Sequence, residues 1–94
     1  HRERSMSIYN LPTDRSLPAN AFIRLMLAAN GGNYPALVKT NHGDILRKQY
    51  DSTGAPEYVG VNHSGFWMTA NWAAVQIADG KAEPINAAPM EVQA

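Results

Sequence analysis

The sequence predicts an α+β domain, in which one N-terminal helix packs on a curled antiparallel sheet of about four to six strands in meander order. One apolar segment, residues 17–29, lies between a helix start signal and a helix stop signal. The rest of the chain is a series of short alternating segments separated by turn residues. The connections are too short for the crossovers that a parallel sheet needs, so antiparallel pairing is expected.

Length and composition set the limits of this domain. The 94 residues correspond to a single domain, which we assign to residues 7–86. Residues 1–6 are predicted to be a vector-derived or processed segment, with Met6 as a candidate native start, and residues 87–94 a loose C-terminal tail. The chain has no cysteine, which excludes disulfides and thiolate metal sites and fits a cytoplasmic location. No apolar run is long enough to span a bilayer, so no membrane partner is expected.

Charge argues against one class of partner. Eight basic and eight acidic side chains give a formal net charge of zero, which opposes general nucleic-acid binding. The basic residues are concentrated before residue 50 and the acidic residues after it. This asymmetry either orients a partner or a second copy of the chain, or is solvated surface charge.

The predicted helix at residues 17–29 has Ser16 as its N-cap, Pro18 in its first turn and the Asn30-Gly31-Gly32 sequence as its stop. A short strand at residues 7–11 precedes it. The expected core stripe of the helix is Phe22, Leu25, Met26 and Ala29.

Two further apolar residues of this helix, Ile23 and Leu27, are expected outside the core stripe and need a cover. A subunit interface and a sheet wrapped around the helix are the two alternatives. We assign Ile23 and Leu27 to a dimer interface.

Residues 36–40 and 44–50 are predicted to form the first hairpin, because Asn41-His42-Gly43 between them is a turn sequence. A three-residue loop with Gly43 in the left-handed conformation sets Val38 opposite Leu46. In this register the core-facing residues are Ala36, Val38, Leu46 and Tyr50, and the water-facing residues are Lys39, Arg47 and Gln49.

Residues 58–71 are predicted to form the second hairpin, with a two-residue turn at His63-Ser64. Its register sets Val61 opposite Phe66, Gly60 opposite Trp67, Val59 opposite Met68 and Tyr58 opposite Thr69. The apolar face is then Val59, Val61, Phe66 and Met68, and the second face is Tyr58, Gly60, Trp67 and Thr69. Trp67 is expected to cover Gly60.

The remaining segments are predicted as two more strands. Residues 71–77 continue the sheet, with Ala73, Val75 and Ile77 inward and Trp72 on the opposite face. Residues 78–81 form a turn, and residues 82–85 return as a short edge strand broken by Pro84.

The aromatic second face of the sheet is the candidate binding site. Trp67, Tyr58 and Trp72, with Thr69 beside them, are expected to contact a planar ligand or a protein side chain, and Arg47 to contact an anion. The alternative is that the helix packs on this face and the aromatic residues are core.

His42 and His63 lie in the two hairpin turns, which a meander places at the same end of the sheet. With Asp44 and Ser64 nearby, they form a candidate site for acid–base or metal chemistry. Exposed turn histidines are the simpler interpretation, because a metal site needs three or four ligands. We therefore assign no catalytic residue, metal or cofactor.

The function that these features predict is a small non-enzymatic binding or inhibitor module of the accessory type. It is expected to act as a homodimer and to present the aromatic face and the loop at residues 51–56 to a protein or a small-molecule ligand. The alternative is a small enzyme or metal-dependent protein using His42 and His63. Nucleic-acid binding through Arg15, Lys39, Arg47 and Lys48 is opposed by the zero net charge.

Overall fold

The computed structural model describes residues 8–61 and 65–85, and it confirms the α+β class. In chain order the elements are α1 (Ala19–Ala29), β1 (Leu37–Thr40), β2 (Ile45–Tyr50), β3 (Pro56–Gly60), β4 (Trp67–Thr69), α2 (Ala70–Ala78) and β5 (Ala82–Pro84). The five strands form one antiparallel sheet in the order β4-β3-β2-β1-β5. Strands β1 to β4 follow one another as a meander, whereas β5 returns past α2 to pair with β1 at the opposite edge.

The core lies between one face of the sheet and the two helices. Its nine buried residues come from α1 (Phe22, Met26), from the three central strands (Val38, Leu46, Tyr58) and from α2 (Ala70, Ala73, Ala74, Ile77). Each buried strand residue is flanked by neighbours of lower burial, as expected when alternate side chains point to opposite faces. The second face of the sheet therefore carries a separate set of side chains.

The helix α1 is confirmed but begins later than expected, at Ala19. Ser16 does not cap it, because the N-cap position is Pro18 and no side chain caps this helix. The Ser16 hydroxyl and the Ser16 N–H instead donate to the Asp14 carboxylate (2.6 and 3.0 Å). The predicted core stripe is partly wrong, since Leu25 is 50% exposed and Ala29 is also exposed. Ile23 and Leu27, predicted to lie outside the core stripe, instead pack against the core.

The helix α2 replaces a predicted strand. Residues 71–77 were assigned to the sheet because apolar residues alternate there, but the segment is helical from Ala70 to Ala78. The Thr69 hydroxyl accepts the Trp72 N–H (3.1 Å) and so caps the first turn. The buried residues of α2 are Ala70, Ala73, Ala74 and Ile77. Their spacing of three and four residues is that of one face of a helix. Helix α2 packs beside α1, and Ile23 and Leu27 of α1 are partly buried against the core of their own chain.

The first hairpin has the expected register. Val38 pairs with Leu46, and Gly43 adopts a φ of 90°, the left-handed conformation that the three-residue loop requires. Lys39, Arg47 and Gln49 are exposed as predicted. The inward assignment of Ala36 and Tyr50 is wrong, since both side chains are exposed.

The β3–β4 pairing differs from the predicted register by one residue. Tyr58 pairs with Met68 and Val59 with Trp67, and the Gly60 N–H donates to the Phe66 carbonyl (2.9 Å). Five residues, 61–65, therefore connect the paired positions, where the prediction placed a two-residue turn. The predicted turn, including His63 and Ser64, lies in residues 62–64, outside the described residues.

This one-residue difference exchanges the two faces of β3, whereas Met68 of β4 stays on the core side and Trp67 stays on the opposite side. Tyr58 is fully buried, and its hydroxyl donates to the Pro35 carbonyl (2.5 Å). Val61 and Phe66, predicted as core, are 48% and 39% exposed. Burying the larger ring, with a partner for its hydroxyl, stabilises the domain more than burying Val59 would.

The segment before α1 is not the strand predicted at residues 7–11; within the described part, residues 8–11 are attached to the end of α1. The Asn30 side chain accepts the Asn10 N–H (2.8 Å) and donates to the carbonyls of Asn10 and Met26 (both 2.7 Å).

The predicted segments at residues 1–6 and 87–94 lie outside the described residues. The edge strand near Pro84 is confirmed as β5. Within the described ranges, neither helix has the length and apolar character required to cross a membrane.

Candidate functional site

The candidate site is the face of the sheet opposite the helices, which we call the open face. Strand alternation assigns ten residues of the five strands to it: Leu37, Lys39, Ile45, Arg47, Gln49, Glu57, Val59, Trp67, Thr69 and Glu83. Both helices of the described part of the chain pack on the other side of the sheet. An antiparallel sheet can leave one face to solvent, and such a face normally carries polar residues. Here four of the ten residues are large and apolar.

A row of paired residues crosses the open face from β1 to β4. Leu37 pairs with Arg47, Arg47 with Val59, and Val59 with Trp67. Trp67 is 58% exposed at one end of the row, and Leu37 is half-buried at the other. The row therefore presents three apolar side chains around one guanidinium group.

The charged residues of the open face balance one another. On one side of the row Lys39 pairs with Glu83, and on the other side Gln49 pairs with Glu57. The Gln49 side-chain amide donates to the Glu57 carboxylate (2.8 Å). Two cationic and two anionic residues give the face no net charge, which does not favour a polyanion such as nucleic acid.

Of the five predicted binding residues, Trp67, Arg47 and Thr69 lie on the open face. Tyr58 is wrong as a binding residue, because it is fully buried in the core. Thr69 points to the open side, but its hydroxyl is used in capping α2. Trp72 lies on α2, on the helix side of the sheet, and is 54% exposed there.

The apolar partners of Trp67 on the open face, Val59 and Leu37, were missed by the sequence analysis. The predicted two-residue turn pairs Val59 with Met68 and therefore places the Val59 side chain in the core. The first hairpin contained the signal that could have found it. Once Arg47 is outward, a neighbour paired with it must also be outward, and the β2–β3 loop at residues 51–55 pairs Arg47 with Val59.

That β2–β3 loop is held by Asp51. Its carboxylate accepts the Thr53 hydroxyl (2.6 Å), the Thr53 N–H (2.8 Å) and the Ala55 N–H (3.0 Å). These hydrogen bonds, the Thr53 hydroxyl first, lower the pKa of the Asp51 carboxyl below its ordinary value. The loop thus fixes the β2–β3 register on which the row depends.

A second feature is a cavity of about 370 Å³ at the end of the sheet, which we call the end cavity. Its apolar wall is formed by Phe66, Met68 and Trp72, and its polar lining includes His42, Asp44, Gln76 and Lys81. The two aromatic rings are 39% and 54% exposed. Cavities of this size accept small organic ligands.

One of the two predicted turn histidines lies at the end cavity. His42 lines the end cavity beside Asp44, as the two-histidine hypothesis requires, but His63 lies outside the described residues. Within the described ranges, no three histidine or carboxylate side chains are grouped closely enough to hold a metal ion.

Two of the four cations proposed for nucleic-acid binding have structural contacts. Arg15 donates to the Ile77 carbonyl at the end of α2 (3.2 Å) and lies 4.7 Å from the centre of the Phe22 ring. Lys48 donates to the Tyr34 carbonyl (3.2 Å) on the helix side of the sheet. The four residues do not form one basic patch, because Lys39 and Arg47 lie on the open face.

Comparison with known proteins does not assign the chain to a family. No protein-family model, no curated protein sequence and no solved structure matches it. Any functional conclusion therefore depends on the surfaces described above.

Proposed function

We propose that this protein is a small binding module, of the inhibitor or accessory type, that binds a protein partner through the open face of its sheet. The observation that carries the proposal is the row Leu37–Arg47–Val59–Trp67, an apolar strip with a central arginine that no helix of the described residues covers. A cytoplasmic location remains part of the proposal and is supported by the absence of cysteine.

The composition of the row favours a protein over a small molecule. Tryptophan and arginine are the residues most enriched among those that dominate binding energy in protein interfaces. Exposed apolar patches on small domains commonly mark such interfaces. The row also crosses four strands of the sheet.

A capture experiment with three forms of the protein tests this proposal. Wild-type protein, Trp67→Ala and Trp72→Ala are immobilised at equal density, and the proteins they retain from a native extract are quantified by mass spectrometry. The two variants remove the same side chain from exposed positions on opposite sides of the sheet. We expect Trp67→Ala to lose the specifically retained protein and Trp72→Ala to keep it, with both variants folded by circular dichroism. Equal retention by Trp67→Ala and wild type would contradict the proposal.

The end cavity supports a second candidate function, binding of a small planar molecule. Phe66 and Trp72 offer two exposed aromatic walls, and His42, Gln76 and Lys81 offer hydrogen-bonding groups at the same cavity. A ligand-observed NMR screen of aromatic fragments against wild-type protein and Trp72→Ala tests it. Fragments that bind wild type and not the variant are expected; a fragment set unaffected by the substitution counts against this site.

A further inference from the structure

We propose that the protein bound by the open face is a second copy of this chain, so that two sheets stack face to face with the helices outside. The inference rests on the proposed function, because it names the partner of the same surface. It differs from the predicted dimer through Ile23 and Leu27, since those residues pack against the core of their own chain.

The order of the row determines how two copies fit. A twofold axis perpendicular to the strands, and in line with the row, would place each residue over its own copy and bring the two Arg47 side chains together. An axis along β2 would also bring the two Arg47 side chains together, and it would place Val59 over the partner's Leu37. Like charges in contact oppose association, so both arrangements are unfavourable. With an axis parallel to the strands and midway between β2 and β3, the two Arg47 side chains are not stacked on each other but are offset by one strand spacing, about 4.8 Å.

With that axis, the row of the partner runs in the opposite order. Arg47 then lies over the partner's Val59, and Trp67 lies over the partner's Leu37. Gln49 of each copy then lies over Glu57 of the other copy, so that each Glu57 carboxylate faces a side-chain amide. Trp67 therefore meets an apolar residue and Glu57 meets a hydrogen-bond donor, so the face is complementary to itself at both of these contacts.

The size of the open face predicts a weak dimer. Five strands span about 19 Å across the sheet, and the six residues of β2 span about 20 Å along it. This outline is about 380 Å² on each copy, which is smaller than the area that most specific interfaces bury. We expect reversible association that depends on concentration in the micromolar range or above.

The first experiment measures molar mass by sedimentation equilibrium over a concentration series of the full chain. Two matched substitutions each place a lysine at an apolar residue: Val59→Lys on the open face and Leu25→Lys on α1, on the other side of the molecule. We expect wild type and Leu25→Lys to dimerise alike. We expect Val59→Lys to bind at least tenfold more weakly, because it places a cation against the partner's Arg47.

The second experiment tests the pairing itself by charge complementation. Trp67→Lys and Leu37→Glu alter residues at the two ends of the row, about 14 Å apart in one copy, where they do not touch. Each variant alone is expected to be monomeric, and an equimolar mixture is expected to form a heterodimer, because the introduced lysine faces the introduced glutamate. The mixture of Trp67→Glu with Leu37→Glu is the matched control and is expected to stay monomeric. Thermal unfolding of each variant shows that it is folded.

Three results would overturn the inference. They are a wild-type chain that is monomeric at all concentrations, a dimer lost in Leu25→Lys but kept in Val59→Lys, and a mixture of the complementary variants that remains monomeric. None of these results tests the proposed function. That function is tested by comparing the proteins that Trp67→Ala and Trp72→Ala retain from the extract. A monomeric wild type whose captured protein is lost in Trp67→Ala would identify a different protein as the partner and leave the proposed function intact.

Discussion

Tyr58→Phe is the substitution that tests the face assignment of β3 most economically. It removes one oxygen atom and keeps the ring. In the structure that oxygen donates to the Pro35 carbonyl (2.5 Å) at a fully buried position, and Pro35 is itself buried. The variant leaves the carbonyl without this donor in a place where water has little access.

The expected cost follows from the environment of that carbonyl. Leaving a buried hydrogen-bonding group unsatisfied costs about 1–3 kcal/mol. For a domain of 60–100 residues each kcal/mol corresponds to a fall of about 4–8 °C in Tm. The free energy of unfolding from urea denaturation, together with Tm from circular dichroism, measures both quantities.

Tyr50→Phe is the matched control, because it makes the same chemical change on a neighbouring strand at a residue that is 62% exposed. Its effect is expected within about 0.5 kcal/mol of zero. Equal stabilities of Tyr58→Phe and Tyr50→Phe would refute the assignment of Tyr58 to the core, and with it the exposure of the Val59 and Trp67 row.

Three further outcomes are expected. Thr69→Ala removes the hydroxyl that caps α2 and should lower the free energy of unfolding by about 1 kcal/mol in urea denaturation, whereas Thr69→Ser should retain the cap. Gly43→Ala places a side chain at a φ of 90° and should destabilise the first hairpin by about 1 kcal/mol, measured in the same way; an unchanged midpoint would contradict the left-handed assignment. Burial, then the nearby Tyr34, raises the pKa of Tyr9 from 10.0 to about 12. The protonated form is thus favoured on folding, and this stabilisation is complete below pH 10 and lost as the pH rises towards 12. Unfolding of Tyr9→Phe should therefore depend less on pH in that window than unfolding of wild type.

Local signals were sufficient for the end of α1 and for the register of the first hairpin. Gly31 and Gly32 end the helix with φ values of 68° and 82°, and Gly43 sets the hairpin register. Each of these positions needs a left-handed backbone that only glycine adopts without strain. The sequence therefore specifies these turns directly, independently of the rest of the fold.

The second helix was not predictable in the same way. The segment from Ala70 to Ala78 has apolar residues at alternate positions and also at helical spacing, so periodicity does not distinguish a strand from a helix. The Thr69 cap and the alanine content favour the helix. What decides the matter is tertiary packing, because the helix buries Ala70, Ala73, Ala74 and Ile77 in the core, and a single-segment pattern does not contain that contact.

The candidate site depended on the parity of one loop. If the loop between β3 and β4 has an even number of residues, the Val59 side chain points to the core. If the number is odd, the Tyr58 side chain points to the core. Either arrangement gives a consistent apolar face. Trp67 points away from the core in both the predicted and the observed register. Its cross-strand partner is Val59, whereas the predicted partner was Gly60. The apolar row therefore emerged only from the three-dimensional register.

The most direct test of the central claim is a nuclear Overhauser measurement across β3 and β4. The Gly60 N–H donates to the Phe66 carbonyl, so the next pair, Val59 and Trp67, is a non-hydrogen-bonded pair whose Hα atoms face each other. A strong Hα–Hα cross-peak between Val59 and Trp67 is expected. A cross-peak linking Val59 to Met68 instead would place Tyr58 and Trp67 on one face and contradict the open-face row.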